Sequence, residues 1–88
     1  MKRWTQIFKA LANINRLAIL KLLADGEERH VTTISAHIHV TLAGTSRHLR
    51  ILSNLYILNE VGKNSHVYYS FNTKMPTDIR KVVDLFLK

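Results

Sequence analysis

Thr41-Leu-Ala-Gly-Thr-Ser-Arg-His-Leu-Arg-Ile-Leu-Ser-Asn54 decides how this 88-residue chain is read. At 3.6 residues per turn, Thr45, Leu49 and Leu52 share one side, with Leu42 at its margin. Ala43, Arg47, Arg50 and Asn54 take the opposite side, with Ser46 beside them. The first stripe suits a core. The second starts with small residues and turns cationic, so it can approach a surface closely and then offer guanidinium groups to phosphates or guanine edges. The second helix of a helix-turn-helix meets the major groove in this way. Taken alone, the pattern fits a solvated surface helix carrying two arginines equally well.

Upstream, Val40 and His39 form a short connection. Thr32 or Thr33 is expected to cap a short third helix whose inward pair is Ile34 and Ile38. His30 to Thr32 is compatible with one short strand, and Glu27 to Arg29 with a loop. Asp25-Gly26 closes a second helix over about 14–24, capped by Asn13 and apolar on most sides, as a central helix is. Trp4, Ile7, Phe8 and Leu11 recur at i, i+3, i+4, i+7 and predict a first helix over about 3–12.

Downstream, the period changes to two. Ile57 to Val61 and His66 to Phe71 are rich in β-branched and aromatic residues, and Gly62-Lys-Asn-Ser65 between them has hairpin-turn composition. Val67, Tyr69 and Phe71 share one strand face; His66, Tyr68 and Ser70 share the other. A hairpin directly after a recognition helix is the wing of a winged helix, with Lys63, Asn64 and Ser65 at its tip. After Pro76, Ile79, Val82, Val83, Phe86 and Leu87 form a full apolar stripe on a last helix over about 77–87. Helices two to four and the hairpin already supply a core. The first and last helices are therefore expected to share an interface with a second copy, through Trp4, Ile7, Phe8, Leu11 and the stripe of the last helix; the alternative is that these stripes pack only within their own protomer.

The bulk numbers agree. Thirteen Lys and Arg against six Asp and Glu give a net charge of +7, which favours nucleic acid or an anionic membrane surface as partner. There is no cysteine, which excludes disulfides, thiolate metal sites and cysteine nucleophiles. No apolar run approaches the roughly 18 residues of a spanning helix, and Met1-Lys-Arg-Trp4 leads into a periodic segment and not into the apolar block of a signal peptide; a cytoplasmic protein of one domain, residues 1–88, is expected. Catalysis is not: there is no phosphate loop, the carboxylates do not pair, and Ser46 and His48 diverge on a helix. A metal site is not expected either, since His30, His37 and His39 lack ligand spacing.

Three pieces in order resemble the ArsR family of winged-helix repressors. They are Ala10-Leu-Ala-Asn-Ile-Asn-Arg-Leu17 followed by Ile19-Leu20, Thr45-Ser-Arg-His-Leu-Arg-Ile-Leu52, and Val67-Tyr-Tyr69. The resemblance runs from Phe8 to Phe71. It implies a mainly α winged helix-turn-helix of about five helices: helix-turn-helix over 32–54, wing over 57–71, dimerisation helices over 1–12 and 77–88. It implies a homodimer on a pseudo-palindromic operator in double-stranded DNA, acting as a repressor. Thr41, Ala43, Gly44, Ser46, Arg47, His48 and Arg50 would face the DNA, with Lys63, Asn64 and Ser65 anchoring the wing.

The chain departs from the family pattern at its sensors. His30 and Thr32 stand where the inducer-binding cysteines belong, and the last helix offers Asp78 and Asp84 but no histidine. No cofactor is implied, and the inducer is left open. Leu42 and Ala43 stand where polar residues are common; they suit either contact with thymine methyls or a helix whose base readout is weak. Gly44 costs about 1 kcal/mol within a helix, a cost attributed here to close passage by DNA. The alternatives are a winged-helix module for an acidic protein partner and a non-specific DNA-binding protein.

Overall fold

A computed structural model describes residues 2–88; Met1, the first residue of the expected dimerisation segment, lies outside them. The order is α1 (Lys2–Leu11), α2 (Ile14–Leu23), β1 (Arg29–His30), α3 (Val31–Ile38), α4 (Leu42–Asn54), β2 (Leu58–Lys63), β3 (His66–Phe71) and α5 (Thr77–Phe86). The strands form one antiparallel sheet, β1-β3-β2. Leu58 pairs with Phe71 and Lys63 with His66 along the hairpin, while Arg29 and His30 pair with Tyr69 and Tyr68. The architecture is a winged helix-turn-helix.

Asn13 caps α2 as expected, its side chain accepting from the backbone N–H of Asn15 and Arg16 at 3.0 and 3.1 Å. The cap of α3 is a correction. Neither Thr32 nor Thr33 fills it; the His30 imidazole accepts from the N–H of Thr32 at 3.1 Å, and α3 starts at Val31. The strand correspondingly sits at Arg29–His30, because pairing with Tyr69 and Tyr68 captures Arg29 from the expected loop. The hairpin turn is also tighter than its composition suggests. Gly62 and Lys63 stay in β2, leaving a two-residue turn of Asn64 and Ser65 at φ 50° and 68°. Both central residues at positive φ match the right-handed twist of the strands they join.

The core joins every helix. Ile19, Leu20 and Leu23 of α2 meet Ile34 of α3, Leu49 and Leu52 of α4, and Ile57, Leu58, Tyr69 and Phe71 around the wing. Ile7 and Leu11 of α1 and Ile79 and Val83 of α5 belong to the same cluster. This corrects the expected division of labour: those four side chains are 0–3% exposed within one protomer and have no surface left to give a second copy. Two helices with apolar stripes bury each other before they meet anything else. Arg3 of α1 adds a forked ion pair to Asp78 at the start of α5, at 3.1 and 3.2 Å. The second helix is less enclosed than its composition suggests, with Ile14 82% exposed at its first turn. Among the described residues no helix is long and apolar enough to cross a membrane.

Candidate nucleic-acid interface

The α3–α4 turn sets how α4 is presented. His39 ends α3 in the left-handed region, φ 59°, which histidine tolerates better than most residues. The next residue, Val40, is held from both sides. Its N–H donates to the Ser35 carbonyl at 3.3 Å, and its carbonyl accepts from the Ser35 hydroxyl at 2.5 Å and from the buried Thr45 hydroxyl at 3.4 Å. Thr41 then caps α4, its hydroxyl accepting from the N–H of Gly44 at 3.1 Å. Ser35 and Thr45 thus fix the angle of α4. The sequence reading placed Thr45 on the core side and gave Ser35 no role.

Gly44 is explained by this turn. A Cβ there would lie 2.9 Å from Val40 Cγ1 and 3.1 Å from Thr41 Oγ1. The protein's own packing thus favours glycine here, a reason additional to the close passage of DNA expected from the sequence.

On the outward side, Thr41, Leu42, Ala43, Arg47 and Arg50 are exposed, while Gly44, Ser46 and His48 are half-buried. Among the described residues neither Arg47 nor Arg50 makes an ion pair or hydrogen bond. All six carboxylates lie outside residues 31–54. Four of them pair elsewhere, Asp25 with Arg29, Glu28 with Lys63, Asp78 with Arg3 and Asp84 with Arg80. A fifth, Glu60, accepts from the Tyr69 hydroxyl at 2.6 Å. Burial first, and then Glu60, pushes that phenol up to about 12, so it stays a donor at any physiological pH.

His48 does not stand on the outward face. Arg16 of α2 lies against it, Nη1 to Nδ1 at 3.1 Å. A guanidinium only donates, so Nδ1 must accept and the ring must be neutral. Burial, then the charges of Arg16 and Arg47, hold His48 below its ordinary value. The same Arg16 donates from Nε to the Ala10 carbonyl at 2.6 Å and from Nη2 to the Lys9 carbonyl at 3.2 Å. It therefore ties the end of α1 to the middle of α4.

The wing tip presents exposed Asn64 and Ser65. Lys63 is not free beside them: its ammonium pairs with Glu28 and lies 5.8 Å from the Tyr68 ring centroid. His30 packs edge-on against His66 and Tyr68, at 4.8 and 5.4 Å between ring centroids. His37 and His39 are exposed, and no group of three or more His, Cys, Asp or Glu gathers among the described residues.

Residues 13–60 match the family model for the bacterial regulatory protein, arsR family. The chain is 32% identical over 72 residues to the transcriptional repressor SdpR of Bacillus subtilis, covering 82% of this chain and 79% of SdpR. Its fold is similar to the homodimeric winged helix-turn-helix DNA-binding domain of a possible ArsR-family transcriptional regulator from Mycobacterium bovis. That similarity has TM-score 0.78 and 30% identity, over 96% of this chain and 74% of the other. It is also similar to reduced HlyU from Vibrio cholerae, with TM-score 0.76 and 26% identity, over 96% and 84% of the two chains.

Proposed function

The chain belongs to the ArsR family of bacterial regulatory proteins, and from that premise we propose that it is a dimeric repressor that reads DNA through α4. The observation that carries this reading is the pair Arg47 and Arg50. Both are exposed and unpaired on a helix whose opposite side is locked into the core. An arginine held free of carboxylates pays nothing to leave an internal partner when it meets phosphate or guanine. Thr41 and Ser46 supply hydroxyls nearby, and Leu42 and Ala43 suit thymine methyls. Asn64 and Ser65 reach the flanking backbone, and Lys63 joins them by exchanging Glu28 for phosphate. An exposed ion pair is worth only about 0–1 kcal/mol, so the exchange is cheap.

Support for the dimer is the apolar surface that α1 and α5 leave uncovered: half-buried Trp4, Val82 and Leu87, and exposed Phe8, Leu85 and Phe86. Trp4 and Phe8 already lie 5.9 Å apart, as a ready aromatic ledge. Leu85, 63% exposed, joins the set expected from the sequence. A two-fold pair through this surface would set two copies of α4 about one helical turn of DNA, roughly 10 base pairs, apart.

Selection of bound duplexes from genomic fragments tests the reading. An enriched palindrome with half-sites at that spacing is expected. Arg47→Ala should weaken binding and blunt sequence preference, whereas Lys63→Ala should weaken it evenly across sequences. Selection that enriches nothing, with both variants binding like the parent, would refute the docking.

A further inference from the structure

An open cleft of about 410 Å³ lies between the second half of α1, the start of α2 and the end of α4. Ala10, Ile51 and Leu55 give it apolar walls; Lys9 and Arg16 bring two positive charges, and Gln6 and Asn54 add carboxamides. Among the described residues no carboxylate lines it. We propose that this cavity binds a small carboxylate with an apolar body, and that Arg16 reports its occupancy to α4.

The volume falls within the range of small-molecule sites, about 300–1,000 Å³, and the mix of apolar walls with a few converging polar groups is what such sites use. The charge selects an anion. Arg16 has five N–H groups, of which three are committed, to the Ala10 and Lys9 carbonyls and to His48. One N–H therefore remains on each terminal nitrogen, a fork suited to a carboxylate's two oxygens. By helical period, Gln6, Lys9 and Ala10 lie on the side of α1 away from Trp4 and Phe8. A second copy seated on that aromatic ledge leaves the cavity open.

Transmission, which rests on the DNA-binding reading above, follows from the sharing of one guanidinium. A carboxylate forked on the two terminal nitrogens shares Nη1 with His48, the neighbour of Arg47 on α4, and so competes with that contact. Ile51, Asn54 and Leu55 of the same helix form the cavity wall. A ligand shifts such an equilibrium only by its preference for one state. Here the preferred state is the one in which the Arg16–His48 contact is weakened, so occupancy opposes DNA binding. This gives the chain a place to sense a signal without the cysteine and histidine sites it lacks.

The test is a titration of the full chain with octanoate, followed by the NMR signals of the Arg16 side-chain N–H and the His48 ring. Octanamide and inorganic phosphate serve as the uncharged and body-less probes. Octanoate should give a saturable shift by about 10 mM, and the other two should not. Lys9→Glu, a change at an exposed residue, should weaken octanoate binding about tenfold or more. Saturating octanoate should lower affinity for the selected duplex about fivefold or more. No saturable shift, an equal response to phosphate, or an indifferent Lys9→Glu variant overturns the site. A shift without loss of duplex affinity overturns the transmission. A chain that takes octanoate but never binds duplex refutes the DNA reading and leaves the cavity's role standing.

Discussion

His48 illustrates how one side chain's surroundings reassign it. The family resemblance puts it within a DNA-facing motif, to pack or to touch a phosphate; in the fold it packs, half-buried, and accepts from Arg16. Its lowered pKa, caused by burial and then by two neighbouring arginines, makes a stability prediction. The unfolded imidazole titrates near its ordinary value of about 6.5, while the folded one resists protonation. Below that pH the unfolded chain binds more protons, so stability falls as pH falls. It is fully present above about pH 6.5 and is lost through the more acidic folded pKa. His48→Gln keeps an acceptor for Arg16 and removes the titration. Urea unfolding at pH 7.5 and pH 5 should show a smaller acid loss for the variant than for the parent; equal losses would place the acid sensitivity elsewhere.

At the scale of elements, the turns carry what periodicity does not. The α3–α4 turn was legible as a short connection, but Val40's three hydrogen bonds and the fit of Gly44 against it are tertiary facts. The wing was legible as two strands, but composition spread its turn over four residues, because Gly62 and Lys63 look like turn residues and in fact pair with Val67 and His66. Confining the reversal to Asn64 and Ser65 puts a serine at φ 68°, where a Cβ is disfavoured by about 1–2 kcal/mol. Glycine removes that cost and returns part of it as unfolded-chain entropy. Ser65→Gly should therefore stabilise the protein by about 0.5 kcal/mol, a rise of roughly 3 °C in Tm. An unchanged or lower Tm in a thermal melt would argue against the two-residue turn.

Over the whole molecule, the arrangement of charge matters more than its total. Most of the carboxylates are engaged with partners away from the helix-turn-helix, which leaves Arg47 and Arg50 as free cations on the face proposed for DNA. With Arg47, Arg50 and Lys63 from each of two copies, about six phosphates are neutralised. The logarithm of affinity should then fall against the logarithm of salt with a slope of about −5. If Lys63 keeps Glu28, the slope is about −4. Affinity insensitive to salt in a filter-binding or anisotropy series would remove these cations from the interface.

By itself the amino-acid sequence determined the number and order of the helices, the hairpin after the cationic helix, the core side of α4 and the family. All of these rest on local period, capping chemistry and residue order, which a chain carries before it folds. Only the tertiary structure decided which apolar stripes are spent inside the protomer, which basic residues remain unpaired, and that Arg16, at the wall of a cleft, links the end of α1 to His48. Those outcomes depend on residues far apart in the chain arriving at the same place, and periodicity holds no record of that meeting.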